Sequence, residues 1–99
     1  MDRIIESGKI AQELGAKIVG LGAFSSIVGD AGITVAKNLD IAVTSGNSYT
    51  VATALQGTKE AICMMGKKLS DCRAVVVGAS GSIGAACVRL LAKEVPHVT

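Results

Sequence analysis

Aromatic side chains are nearly missing: Phe24 and Tyr49 stand alone, and there is no tryptophan. The ten basic residues are scattered and almost balanced by eight acidic ones, for a net charge of +2. With no rings to stack on bases and no basic patch beyond the solvated Lys67-Lys68 pair, nucleic-acid binding is not expected. His97 is the single histidine. It has no cysteine or carboxylate at ligand spacing and reads as a surface residue, so no metal centre is expected. The three cysteines, Cys63, Cys72 and Cys87, are odd in number and form no CxxC pair. That pattern suits a reducing compartment rather than a disulfide framework, with Cys63 and Cys87 on helical core faces as buried thiols. Long apolar runs are absent too: Lys17, Asp30, Lys37 and Asp40 interrupt the most hydrophobic third. No membrane span is expected, and Met1-Asp2-Arg3 does not lead into a signal-peptide block, so the expected location is cytoplasmic.

What remains is rich in small and β-branched residues. Hydrophobic residues make up 49% of the chain and charged ones 18%, which excludes intrinsic disorder. Twelve glycines among Ala, Val and Ile suit close packing of helices on a parallel sheet, an α/β architecture. A chain of 99 residues buries roughly two-thirds of its unfolded surface, less than a complete doubly wound sheet requires.

Periodicity places the elements. Ile4 to Leu14 is a helix stopped by Gly15. Lys17 to Leu21 is a short apolar run typical of a buried strand, and Gly22 to Ser26 a loop. Ala31 to Lys37 suits a short helix, and Asp40 to Thr44 a second buried strand. Val51, Leu55, Thr58, Ile62 and Met65 share one face of a helix that Gly66 closes. Gly57 inside it points to another backbone passing close by. Lys67 to Cys72 is a polar connector. Arg73 to Val77 is a strand and Ser82 to about Glu94 a helix, with Ile83, Ala86, Cys87, Leu90 and Leu91 on its apolar face. Pro96 ends it, and Val98-Thr99 opens another strand.

The segment from Ala74 to Gly84 carries the chemistry. An apolar strand runs into Gly78-Ala79-Ser80-Gly81-Ser82-Ile83-Gly84, and an amphipathic helix runs out. Gly78 permits the turn, Gly81 leaves room for a pyrophosphate, and Gly84 lets helix and strand pack closely. The helix start offers free N–H groups and partial positive charge to phosphates, with Ser80 and Ser82 as further donors. The alternative is a tight turn whose glycines serve packing alone. The acidic residue that would hold an adenosine ribose belongs ~20 residues further on, at or past Thr99, so NAD and NADP are not distinguished. Gly46, Asn47 and Ser48 form a second candidate, either as a cap for the following helix or as a wall of a substrate cleft.

Three stretches in order, Leu14-Gly-Ala-Lys-Ile-Val-Gly-Leu-Gly-Ala-Phe-Ser-Ser-Ile27, Thr44-Ser-Gly-Asn-Ser-Tyr-Thr50 and Val77-Gly-Ala-Ser-Gly-Ser-Ile-Gly84, resemble the central part of the long-chain acyl-[acyl-carrier-protein] reductases. The likeness extends to their shikimate- and amino-acid-dehydrogenase-like relatives. It implies an incomplete Rossmann-type fold, with residues 1–66 ending a substrate domain and residues 67–99 opening an NAD(P)-binding domain. It further implies an oxidoreductase that uses NADP(H), with NAD as the alternative, on an acyl-thioester or another small molecule. In that reading Gly78 to Gly84 hold the dinucleotide and Gly46 to Ser48 face the cleft. The reductases' acyl-accepting cysteine lies downstream of this segment, so no cysteine here inherits it. Residues 1–99 hold too little of such an enzyme to be active by themselves. Uncovered strand edges in a partial sheet favour a homo-oligomer.

Overall fold

A computed structural model describes residues 1–26 and 30–99 of the chain. The fold is mixed α/β and divides into two compact units, Met1–Gly46 and Asn47–Thr99. This division is one of compactness and does not bear on the functional boundary expected after Gly66. Each unit joins two parallel strands through a crossover that carries a helix.

The first unit contains α1 (Asp2–Glu13), β1 (Ile18–Gly20), α2 (Ile33–Lys37) and β2 (Ala42–Thr44). Gly15 ends α1 as expected, at φ +90°. Its N–H donates to the Gln12 carbonyl and that of Ala16 to the Ala11 carbonyl, both at 3.0 Å. This paired closure satisfies carbonyls the helix end would otherwise leave open. β1 and β2 pair in parallel with Val19 opposite Val43. Gln12 ties α1 to the entry of β2, accepting from the Asp40 N–H at 2.9 Å and donating to Asp40 Oδ2 at 3.2 Å. Leu21 and Val35 form the buried centre.

Two expectations change here. The strands are not buried on both faces, since Ile18 is 61% exposed and the exposure alternates along β1 and β2. A two-stranded sheet has no second helix layer to cover its outer face. Gly22 to Ser26 is also more ordered than a loop. Ala23–Ser26 forms a 3₁₀ helix, with both the N–H and the hydroxyl of Ser25 donating to the Gly22 carbonyl. Ile27, which closes the first stretch of the resemblance, lies outside the described residues.

Asp30 anchors the start of α2. Its carboxylate accepts from the Thr34 hydroxyl at 2.6 Å and from the Thr34 N–H at 2.9 and 3.1 Å. The hydroxyl bond, then the backbone bond, hold the Asp30 carboxyl below its ordinary 3.8. A depressed carboxylate stabilises the folded form above its unfolded pKa, and that contribution is lost as pH falls through the folded one. The Thr34 amide resonance should therefore titrate with a midpoint below 3.8. A midpoint at or above that value contradicts the anchoring.

The second unit contains α3 (Asn47–Met64), β3 (Arg73–Ala74), α4 (Ser82–Leu91) and β4 (His97–Val98). Gly66 closes α3 in the same manner as Gly15 closes α1, at φ +70°, with its N–H donating to Cys63 and that of Lys67 to Ile62. α3 packs along α4. β3 and β4 pair in parallel, Arg73 opposite His97 and Ala74 opposite Val98. The pairing continues by single bonds, Thr99 N–H to the Ala74 carbonyl and Val76 N–H to the Thr99 carbonyl. The strand expected through Val77 is thus shorter, with regular pairing over Arg73–Ala74 and a further bond at Val76. Val51 and Val95 are the buried apolar residues of this unit.

Helix α3 corrects two further expectations. Nothing approaches within 4 Å of a Cβ built at Gly57, so no backbone passes there. Cys63 is exposed rather than buried, while Cys87 is partly covered. Both follow from α3 packing chiefly along α4, which covers a narrow stripe. Gly57→Ala should accordingly raise the stability of the chain by about 1 kcal/mol, read as a higher urea midpoint. A lower midpoint would mean that an unseen contact fills the space. Among the described residues no helix is long and apolar enough to cross a membrane.

Candidate functional site

The glycine segment forms a bend between β3 and α4. Gly78 sits at φ +78°, a conformation that excludes most side chains, and its carbonyl accepts from the Gly81 N–H at 3.0 Å. The chain then enters α4 through an extended Gly81, φ −74° and ψ 163°. The first turn of α4 lies directly on that bend. A Cβ at Gly84 would fall 2.1 Å from the Gly78 oxygen, 2.8 Å from its carbonyl carbon and 3.1 Å from Ala79 Cα. Only a residue without a side chain lets the helix start there. Gly81 is less constrained, with its would-be Cβ 3.4 Å from the same oxygen.

No side chain caps α4. The Ala85 N–H donates to the Gly81 carbonyl, and the amides of Ser82, Ile83 and Gly84 have no acceptor among the described residues. Three donors at the positive end of a helix dipole, with no acidic residue in the first turn, suit an anion. Gly78, Ala79, Ser80, Gly81 and Ser82 are exposed to solvent.

The structure also joins two candidates that lie 35 positions apart in sequence: Asn47 Nδ2 donates to Ser82 Oγ at 2.9 Å. Both residues open a helix, and a cavity of about 340 Å³ runs from them between α3 and α4, lined by Asn47, Ser48, Val51, Ser82, Ala86 and Leu90. Gly46 ends the first unit at φ +73°, its N–H bonded to Thr44 Oγ1. Val51, Ala86 and Leu90 were legible only as members of apolar helix faces. Their spacing held a weak signal: 82, 86 and 90 form one stripe of α4, and 47 and 51 one stripe of α3.

Comparison with known proteins gives a partial relative. Over 90 residues the chain is 34% identical to the aminotransferase PigE of Serratia sp.. The match covers 91% of this chain and 11% of that protein. No described protein family and no solved structure matches the chain. A relative named for amino transfer overturns the likeness to acyl-[acyl-carrier-protein] reductases and dehydrogenases, and with it the oxidoreductase activity and the NADP(H) or NAD cofactor. The physical reason for the misreading is plain. A strand, a glycine turn and a helix start take a phosphate group whatever molecule carries it, and the residue that would mark a dinucleotide is not within these residues. Among the described residues no group of three His, Cys, Asp or Glu is placed to hold a metal ion. Among the described residues an ion pair, Lys59 with Glu94, joins α3 to the turn after α4 and is partly exposed. Its contribution to stability is at most about 1 kcal/mol.

Proposed function

We propose that the second unit binds a phosphorylated ligand at the corner between β3 and α4. In this reading Gly78, Ala79, Ser80, Gly81, Ser82, Ile83 and Gly84 wrap the phosphate. The amides of Ser82, Ile83 and Gly84 are its main donors, and Ser80 and Ser82 add hydroxyls. The observation that carries the proposal is the set of acceptorless amides on a helix start that Gly84 alone allows to close on the bend. Asn47 and Ser48 border the site through the Asn47–Ser82 bond. The β3–α4–β4 unit is then the opening βαβ of a larger parallel sheet, with the ligand at the carboxyl end of its first strand.

The aminotransferase match supports placing this site in the service of amino-transfer chemistry. The chain corresponds to 11% of that relative, and the share we assign to it is binding rather than reaction. Amino transfer through pyridoxal phosphate needs a lysine to hold the aldehyde as an imine and an Asp or Arg partner for the pyridine nitrogen. No lysine, arginine or carboxylate lines the cavity beside the turn, and Lys59 is paired with Glu94. The residues fit the phosphate of such a cofactor and not its reacting end, so no chemical step falls to them.

Inorganic phosphate tests the reading directly. Titrated into the isotope-labelled chain, it should shift the amides of Ser82, Ile83 and Gly84 with an affinity on the order of 1 mM, the range for a few exposed charge-assisted hydrogen bonds. Shifts spread evenly over lysines, or none at the helix start, would end the proposal. A second reading, self-association, rests on the exposed apolar residues Val75 and Val77, and light scattering at two concentrations decides it.

A further inference from the structure

We infer that the cavity between α3 and α4 receives the body of that ligand, which makes the ligand a phosphate monoester of a compact, uncharged, apolar or aromatic group. This rests on the phosphate-binding reading and specifies what the phosphate is attached to. The cavity is polar at one end and apolar at the other. Asn47, Ser48 and Ser82 form the polar end, where α3 and α4 both begin and both helix dipoles present their positive poles. Val51, Ala86 and Leu90 line the rest, along a stripe that extends roughly 12 Å from Ser82 to Leu90. Ser82 belongs to both features, with its N–H at the start of α4 and its hydroxyl in the cavity wall. An anion at the amides therefore has its substituent directed by the Asn47–Ser82 pair toward the apolar stripe.

Size and charge narrow the class. The volume, about 340 Å³, lies at the small end of ordinary ligand sites. The space exists because Ala86 stands mid-stripe where a larger apolar residue would fill it. No charged side chain lines the cavity, so a charge on the ligand body would be buried without a partner.

The test compares inorganic phosphate with phenyl phosphate on the whole chain. Phenyl phosphate should bind about tenfold more tightly, the gain expected from burying part of one ring. Ala86→Phe should remove that advantage while leaving inorganic phosphate binding intact. Leu90→Gln, at a position 41% exposed and thus safe for folding, should reduce it without filling the space. Equal affinity for the two probes, or an advantage that survives both substitutions, overturns this inference and leaves the phosphate reading standing. Failure of the unaltered chain to bind either probe overturns both.

Discussion

Replacing Gly84 by alanine should abolish phosphate binding and destabilise the second unit by about 3 kcal/mol, the upper part of the range for forcing an added methyl into packed surroundings. The magnitude follows from what the methyl meets. Its carbon would lie 2.1 Å from the Gly78 oxygen and 2.8 Å from the Gly78 carbonyl carbon, and neither is the free end of a side chain that can swing away. Either α4 retreats from β3 or the bend at Gly78 opens, and each separates the three amides that would hold the phosphate. Gly81→Ala is the control for stability alone, because its methyl would stand 3.4 Å from the same oxygen and needs only a small adjustment. Urea unfolding followed by circular dichroism reads stability, and the phosphate titration reads the site. A Gly84→Ala variant as stable as the parent would show that the bend is looser than described. A stable variant that still bound phosphate would remove the case for the site altogether.

Much of the local structure was legible because it depends on backbone chemistry that sequence states directly. Gly15 and Gly66 end their helices because φ near +90° and +70° is open to glycine. Val98-Thr99 was readable as a strand opening, and His97–Val98 pairs with β3 in parallel. What escaped depends on who covers whom. A run such as Ala74 to Val77 looks the same in sequence whether its outer face is packed or bare, and here Val77 is 93% exposed. The helical period of α3 marks a face without saying how much of it a single partner covers, which is why Cys63 was misplaced. The Asn47–Ser82 bond joins residues 35 apart, a distance no local pattern spans. At the site, the bend and helix start around the glycines were legible, but a phosphate motif is shared by many ligands. The step from phosphate to dinucleotide came from the glycine spacing and from the resemblance, and there the reading went wrong.

The first unit depends on a single residue to a degree its size makes severe. Val35 is 1% exposed, the most deeply buried hydrophobic side chain among the described residues, on a helix of five residues that could not persist alone. Val35→Asp would put a carboxylate among Ile4, Gly8, Val19 and Leu21, where the nearby Ser7 and Ser25 hydroxyls already donate to the Arg3 and Gly22 carbonyls. The cost of an unpaired buried charge is several kcal/mol, comparable with the whole stability of a small domain. At neutral pH the β1–β2 pairing and the turn at Asp30 should therefore be lost, seen as collapse of amide dispersion for residues 1–46. The pH dependence identifies the cause. Burial raises the folded pKa of an introduced carboxyl above its unfolded value, so the penalty applies above the folded pKa and fades as the group takes up a proton. Acidification from pH 7 toward about 4.5 should restore part of the native spectrum in Val35→Asp and do nothing for Val35→Asn, which carries no titrating group. Equal losses in the two variants at every pH would show that shape, and not charge, decides the site. Native dispersion in Val35→Asp at pH 7 would mean that α2 does not pack on β1 and β2 at all.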